Sequence, residues 1–175
     1  MSETLVTPKF LTRGIAAMVV DSVVALAMGN LSSMSSFMKR KMCHIVIVVP
    51  TKEDDHAVDF PNWLNYRLQP VILYEHSVGK PDWPHDFEKI ARYKASQLWH
   101  DLNDNRTDNV PHLLFPGDTP YWGGVKRDGI VVACSGVQPH FDRMIAGMVA
   151  DALIAVAHEL WMRSDDKKNE VSFLS

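Results

Sequence analysis

A lysine stands where a helix should be apolar. Over 83–102, Phe87, Ile90, Ala91, Ala95, Leu98 and Leu102 recur at helical spacing, and Lys94 falls on their face, seven residues after Phe87. An unpaired ammonium there is strongly unfavourable, so Lys94 must snorkel to water, pair with a carboxylate, or hold an anion. Asp142 is the leading partner. A second set of residues lies downstream. Gly123-Gly124 precedes an Asp128-Gly129 hairpin, a β-branched run ends in Ser135-Gly136, and Asp142 sits in the first turn of a helix opened by Pro139. Paired glycines let a backbone bend sharply or approach another group closely. Free N–H groups at a strand-to-helix junction hold anions, and an acidic side chain in the first turn caps those same groups. The spacing therefore has two readings: an anion-binding turn, or a hairpin followed by a well-capped helix.

Histidine supplies the other ligand chemistry. The chain has eight: His44, His56, His76, His85, His100, His112, His140 and His158. None stands at a zinc spacing with cysteine and there is no His-Glu-x-x-His, so no metal site is expected. His112 and His140 flank the glycine motif and are the candidates for a haem or metal ligand. The plainer reading for each is a surface or capping histidine. Covalent catalysis has little to stand on. Ser135-Gly136 is not a Gly-x-Ser-x-Gly elbow, and Cys134 lies in a run that should be a buried strand, where a thiol is inert.

The elements that must position these residues follow from periodicity. A nearly all-apolar helix is expected over 7–29, stopped by Gly29-Asn30. Its extra apolar face suggests a subunit contact. His44-Ile45-Val46-Ile47-Val48-Val49 reads as a strand buried on both faces and ended by Pro50. A long polar connection over 51–68 leads to a strand over 70–74. Asp82 is the expected N-cap of the 83–102 helix, with Pro84 in its first turn. A polar turn over 101–108 and a short strand over 113–115 precede the hairpin. The order of helix, strands, helix, hairpin and helix gives an α+β single domain: an antiparallel sheet flanked by helices. Residues 1–10 are expected to be flexible, 11–163 to form the domain, and 164–175 to be a mobile polar tail.

Composition bounds the function. With 175 residues, 46% hydrophobic and 22% charged, the chain can bury a core without a staple. The net charge is −3, and the one basic run, Lys39-Arg40-Lys41, reads as a solvated turn, so nucleic acid is not an expected partner. Cys43 and Cys134 read as buried free thiols rather than a disulfide. No secretory signal or membrane span is legible, and a cytoplasmic address is expected by default.

Taken together, Ile90-x-Arg92-x-Lys94, Gly123-Gly124, the run ending Ser135-Gly136 and Asp142 resemble the GlcG-like family of haem-binding and glycolate-operon proteins. That family includes an extracellular haem-binding sensor protein and the C-terminal domain of some cobalamin adenosyltransferases. The resemblance covers roughly 11–161 and departs from the pattern at 51–68, where many members carry a tight Asp-x-Gly-Gly hairpin. It implies a profilin-like fold, ring-like or stacked homo-oligomers, and, in some members, haem near subunit boundaries. It also implies that Lys94, Gly123, Gly124, Ser135, Gly136 and Asp142 form the ligand-binding motif. Three functions are then in view: a homo-oligomer that binds a small ligand such as haem or a related tetrapyrrole, a structural or adaptor homo-oligomer without one, and an enzyme of unknown reaction such as haem degradation.

Overall fold

The computed structural model describes residues 5–53, 68–102 and 111–174. Residues 1–4 of the expected flexible arm, most of the 51–68 connection and the 103–108 part of the polar turn lie outside the described residues.

The sheet is antiparallel throughout, as expected. Central β2 (Cys43–Glu53) pairs with β3 (Gln69–Val78) on one side and β5 (Ile130–Ser135) on the other, and β4 (Gly124–Arg127) pairs with β5. A short β1 (Leu5–Val6) pairs with the far end of β2. Side chains on a strand alternate between faces. Ile45, Ile47, Val49, Val132 and Cys134 therefore pack on one side, in a core shared with α1 (Arg13–Met28) and α3 (Pro139–Arg163). Val46, Val48, Val131 and Ala133 face the other side, where α2 (Phe87–Trp99) supplies Ala91, Ala95 and Leu98. Helices cover both faces, and this is why β2 and β5 are apolar at nearly every position.

Several boundaries differ from the expected ones. β2 does not stop at Pro50 but runs on to Glu53, with Pro50 opposite Pro70. β5 accompanies β2 only as far as Val48, and a strand freed of a neighbour tolerates a residue with no N–H to donate. α1 starts at Arg13 because Thr12 caps it, its Oγ1 accepting from Ile15 N at 3.3 Å. The N-cap of α2 is Asp86, whose carboxylate accepts from Lys89 N at 2.9 Å, and not Asp82, which belongs to a preceding 3₁₀ turn. Pro111–Leu113 is a 3₁₀ turn, and no strand forms over 113–115. The C-terminal segment contains a short helix, α4 (Asp165–Lys168), capped by Ser164 and tied to the N-terminal arm through Lys9 and Asp166 at 2.5 Å.

α1 buries Ala16, Val19, Val20, Val23 and Ala27, while Met18 and Leu26 remain 52% and 60% exposed. Its additional apolar face is thus uncovered in a single chain. α3 is long and apolar enough to cross a bilayer by length and composition, but here Ile145, Ala146, Val149 and Leu153 are buried against the sheet and α1.

β2, β3 and α2 are also joined by a polar cluster. His44 is buried, and its Nε2 donates to Glu75 Oε1 at 3.2 Å. A carboxylate only accepts, so Nε2 carries the proton and, in the neutral ring, Nδ1 accepts from Ser77 Oγ at 2.9 Å. Arg92 of α2 grips both oxygens of Glu75 at 2.7 Å. Burial holds the His44 imidazole below its ordinary value of 6.5, with Glu75 opposing, and the Arg92 hydrogen bond holds Glu75 below 4.5. Both groups bind protons more tightly in the unfolded chain, so acidification destabilises the fold. The His44 contribution is complete above about pH 6.5 and is lost as pH falls toward its folded value; the Glu75 contribution is lost only below about pH 4.5. Urea midpoints should therefore fall between neutrality and pH 5, and His44→Gln should flatten that part of the profile. An unchanged slope in the variant would remove His44 as its origin.

Candidate functional site

Lys94 and Asp142 meet where the sheet ends. Both are buried, at 1% and 3% exposure, and Lys94 Nζ lies 3.2 Å from Asp142 Oδ2. Nζ also donates to Cys134 O at 2.8 Å. The other carboxylate oxygen, Oδ1, accepts from Val137 N at 3.0 Å and from the Cys134 thiol at 3.7 Å. The partner expected for Lys94 is the one it has. Burial pushes the Asp142 carboxyl above its usual range, opposed by Lys94, the Val137 N–H and the thiol. Burial likewise raises the Cys134 thiol well above its ordinary value, so neither free, buried cysteine is a nucleophile at neutral pH.

The glycines make room for this contact. Gly123 has φ +129°, and a Cβ there would stand 2.6 Å from Asp142 Cβ and 3.1 Å from Lys94 Nζ. α2 and α3 pack on opposite faces, and the pair joins them past the end of β5 through the space that Gly123 leaves. Gly136, at φ +138°, lies against the Met42 carbonyl and the Cys43 backbone. The motif is thus, first, a packing device: the capped-helix reading accounts for Gly123, Gly136 and Asp142.

Beside the pair opens a cavity of about 270 Å³. Lys94, Asp142, Ser135 and Gly136 line it, together with Pro139 and Gln138 at the start of α3. Its apolar wall is Phe87 and Ile90, and Arg40, His85 and Tyr121 stand around it. Arg40 corrects the expectation of a solvated turn at 39–41. It is half-buried, its Nε donates to Gly136 O at 2.7 Å and its Nη2 to Val137 O at 3.1 Å, and the guanidinium sits 5.7 Å from the Phe87 ring centre. No carboxylate pairs with it among the described residues. α3 contributes its positive end here, since the Gln138 side chain accepts from Lys39 N instead of capping the helix. The Asp142 charge is balanced by Lys94, which leaves the cavity with Arg40 and the helix end unbalanced.

Of the residues expected at the site, Lys94, Ser135, Gly136 and Asp142 come together at this cavity, with Gly123 against the ion pair. Gly124 packs on Leu98 of α2. The two candidate histidines do not reach it: His112 is exposed on the 3₁₀ turn, and His140, also exposed, faces a separate groove on α3. His85 is the cavity's histidine. It, Arg40 and Tyr121 escaped the sequence reading because each lies in a loop with no periodic signal. Among the described residues no group of three His, Cys, Asp or Glu is arranged to hold a metal ion. No family model, no curated protein and no solved structure matches this chain.

Two stability predictions follow from the pair. Lys94→Met should cost about 3–5 kcal/mol, because it strands a buried carboxylate, and Lys94→Met with Asp142→Asn should cost clearly less than the two single changes summed. Additive losses in chemical denaturation would show that the pair is not coupled. Gly123→Ala, which adds a methyl at positive φ against Asp142, should destabilise by on the order of 2 kcal/mol or more; an unchanged denaturation midpoint would contradict the packing described.

Proposed function

We propose that this chain binds a small, flat organic anion in the cavity beside the Lys94–Asp142 pair, and does so as a homo-oligomer. The observation that carries the reading is Arg40: a half-buried guanidinium with no carboxylate partner among the described residues, on the wall of a cavity that also receives the positive end of α3. Phe87 and Ile90 suit a flat apolar body, and Ser135 and Tyr121 bring hydroxyls to orient it. Lys94 and Asp142 hold the walls in place. They are spent on each other and are not the recognition groups.

Haem or a related tetrapyrrole, implied by the GlcG-like resemblance, is the named candidate. A cavity of about 270 Å³ lies just below the range that encloses drug-sized ligands, so one chain would seat a tetrapyrrole by an edge. A carboxylate of that edge would meet Arg40, and His85 is the histidine within reach of the same cavity. The remainder of the ring would lie against a second subunit, which ties the ligand to assembly. The exposed Met18, Leu26, Leu31 and Phe37 favour self-association on their own account, and they support a second reading in which the oligomer is structural and holds no ligand.

Titration of the purified protein with haemin, and separately with benzoate, decides between them, with light scattering on the same samples. Under the ligand reading at least one probe binds saturably, haemin with a shifted Soret band, and Arg40→Gln weakens binding by about tenfold or more, the loss expected for a hydrogen bond to a charged group. An assembly indifferent to both probes would leave the structural reading. A monomer that binds neither would overturn both.

A further inference from the structure

A second recognition surface lies on another face of α3, and it does not depend on the reading above. Here α3 runs beside β4, and between them opens a groove of about 310 Å³ lined by Trp122, Arg127, His140, Arg143, Met144, Gly147, Met148 and Asp151. It holds two arginines and one carboxylate. Arg127 pairs with Asp151 and its Nη1 donates to Gly147 O at 3.5 Å. A glycine inside a long helix costs about 1 kcal/mol relative to alanine. Gly147 has a reason to be there: a Cβ would lie 3.2 Å from Arg127 Nη2, so the bare backbone lets the guanidinium rest flat on the helix. The one acid of the groove is therefore occupied.

Arg143 is left over. It is half-buried, its Nε is shielded from solvent with no hydrogen-bond partner among the described residues, and no carboxylate pairs with it there. A buried guanidinium N–H without an acceptor is an unfavourable state that a bound oxyanion relieves. One turn closer to the helix start stands His140, exposed at the groove's rim in the first turn of α3, where the dipole also favours negative charge. Trp122, Met144 and Met148 add an apolar, adaptable wall.

We propose that this groove binds a phosphomonoester carrying a flat apolar group, with the phosphate on Arg143 and His140 and the flat group against Trp122 and the two methionines. The guanidinium offers two parallel donors to phosphate oxygens, a fit that a carboxylate-poor groove does not quench.

Calorimetric titration of the full chain with phenyl phosphate and with inorganic phosphate tests this. Phenyl phosphate should bind saturably and more tightly than inorganic phosphate. Arg143→Gln should weaken it by about tenfold or more, as expected for a lost hydrogen bond between charged groups. His140→Asp, at an exposed position where folding is not at stake, should weaken it as well by placing a negative charge at the rim, and it decides the matter if Arg143→Gln fails to fold. Absence of saturable binding overturns the proposal. So does equal affinity for the two probes, or binding that survives both substitutions. Binding lost in Arg40→Gln but kept in these two variants would place phenyl phosphate in the other cavity, and would also count against the groove.

Discussion

A buried ammonium must be compensated, and here the compensation crosses the molecule. Lys94 belongs to the layer on one face of the sheet and Asp142 to the layer on the other, and they touch only where β5 ends. The separated charges would each carry a desolvation penalty of several kcal/mol; together, with Cys134 O, Val137 N–H and the thiol, they are satisfied. Meeting that requirement sets the approach of α2 to α3, the position of the β5–α3 turn, and the need for a residue without a side chain at Gly123. The contact therefore aligns two cores that otherwise share only the two-sided strands β2 and β5.

This arrangement separates the charges that hold the fold from those that face outward. Lys94, Asp142, Glu75 and Arg92 are paired within the chain, and so are Arg127 and Asp151. Arg40 and Arg143 are half-buried and have no acidic partner among the described residues. In a chain of net charge −3, two cations held in partly dry surroundings without counter-charge are conspicuous, because a nearby acid would be the cheaper solution. Each sits beside the first turns of α3, one on either face, where the helix dipole adds positive potential. The start of α3 is thus a common electropositive pole for two distinct cavities.

Much of this was legible in the sequence. The β-branched run at 44–49 had to be two-sided because no alternation broke it, and helices do cover both its faces. Lys94 on an apolar face demanded a partner, and Asp142 was the carboxylate found there. Element ends were read less well. Asp82 and Asp86 are both plausible caps, and the choice was made by Trp83, whose Nε1 donates to Val78 O and so draws the intervening segment into a 3₁₀ turn. Pro50 marks a strand end only if a neighbouring strand continues beside it, which spacing along one chain does not reveal.

By itself, then, the sequence determined the class of fold, the two-faced sheet and the need for a buried ion pair, since burial, periodicity and the penalty on a lone charge act on local patterns. Only the tertiary structure decided which cations remain unmatched. Arg40 stood in a basic run indistinguishable from a solvated turn, and Arg143 was one more charge on a helix. Their standing depends on which carboxylates lie within a few ångströms. That is a property of segments distant in the chain: Arg40 is placed by the carbonyls of Gly136 and Val137, and Arg127 takes Asp151 away from Arg143 only once β4 has docked on α3.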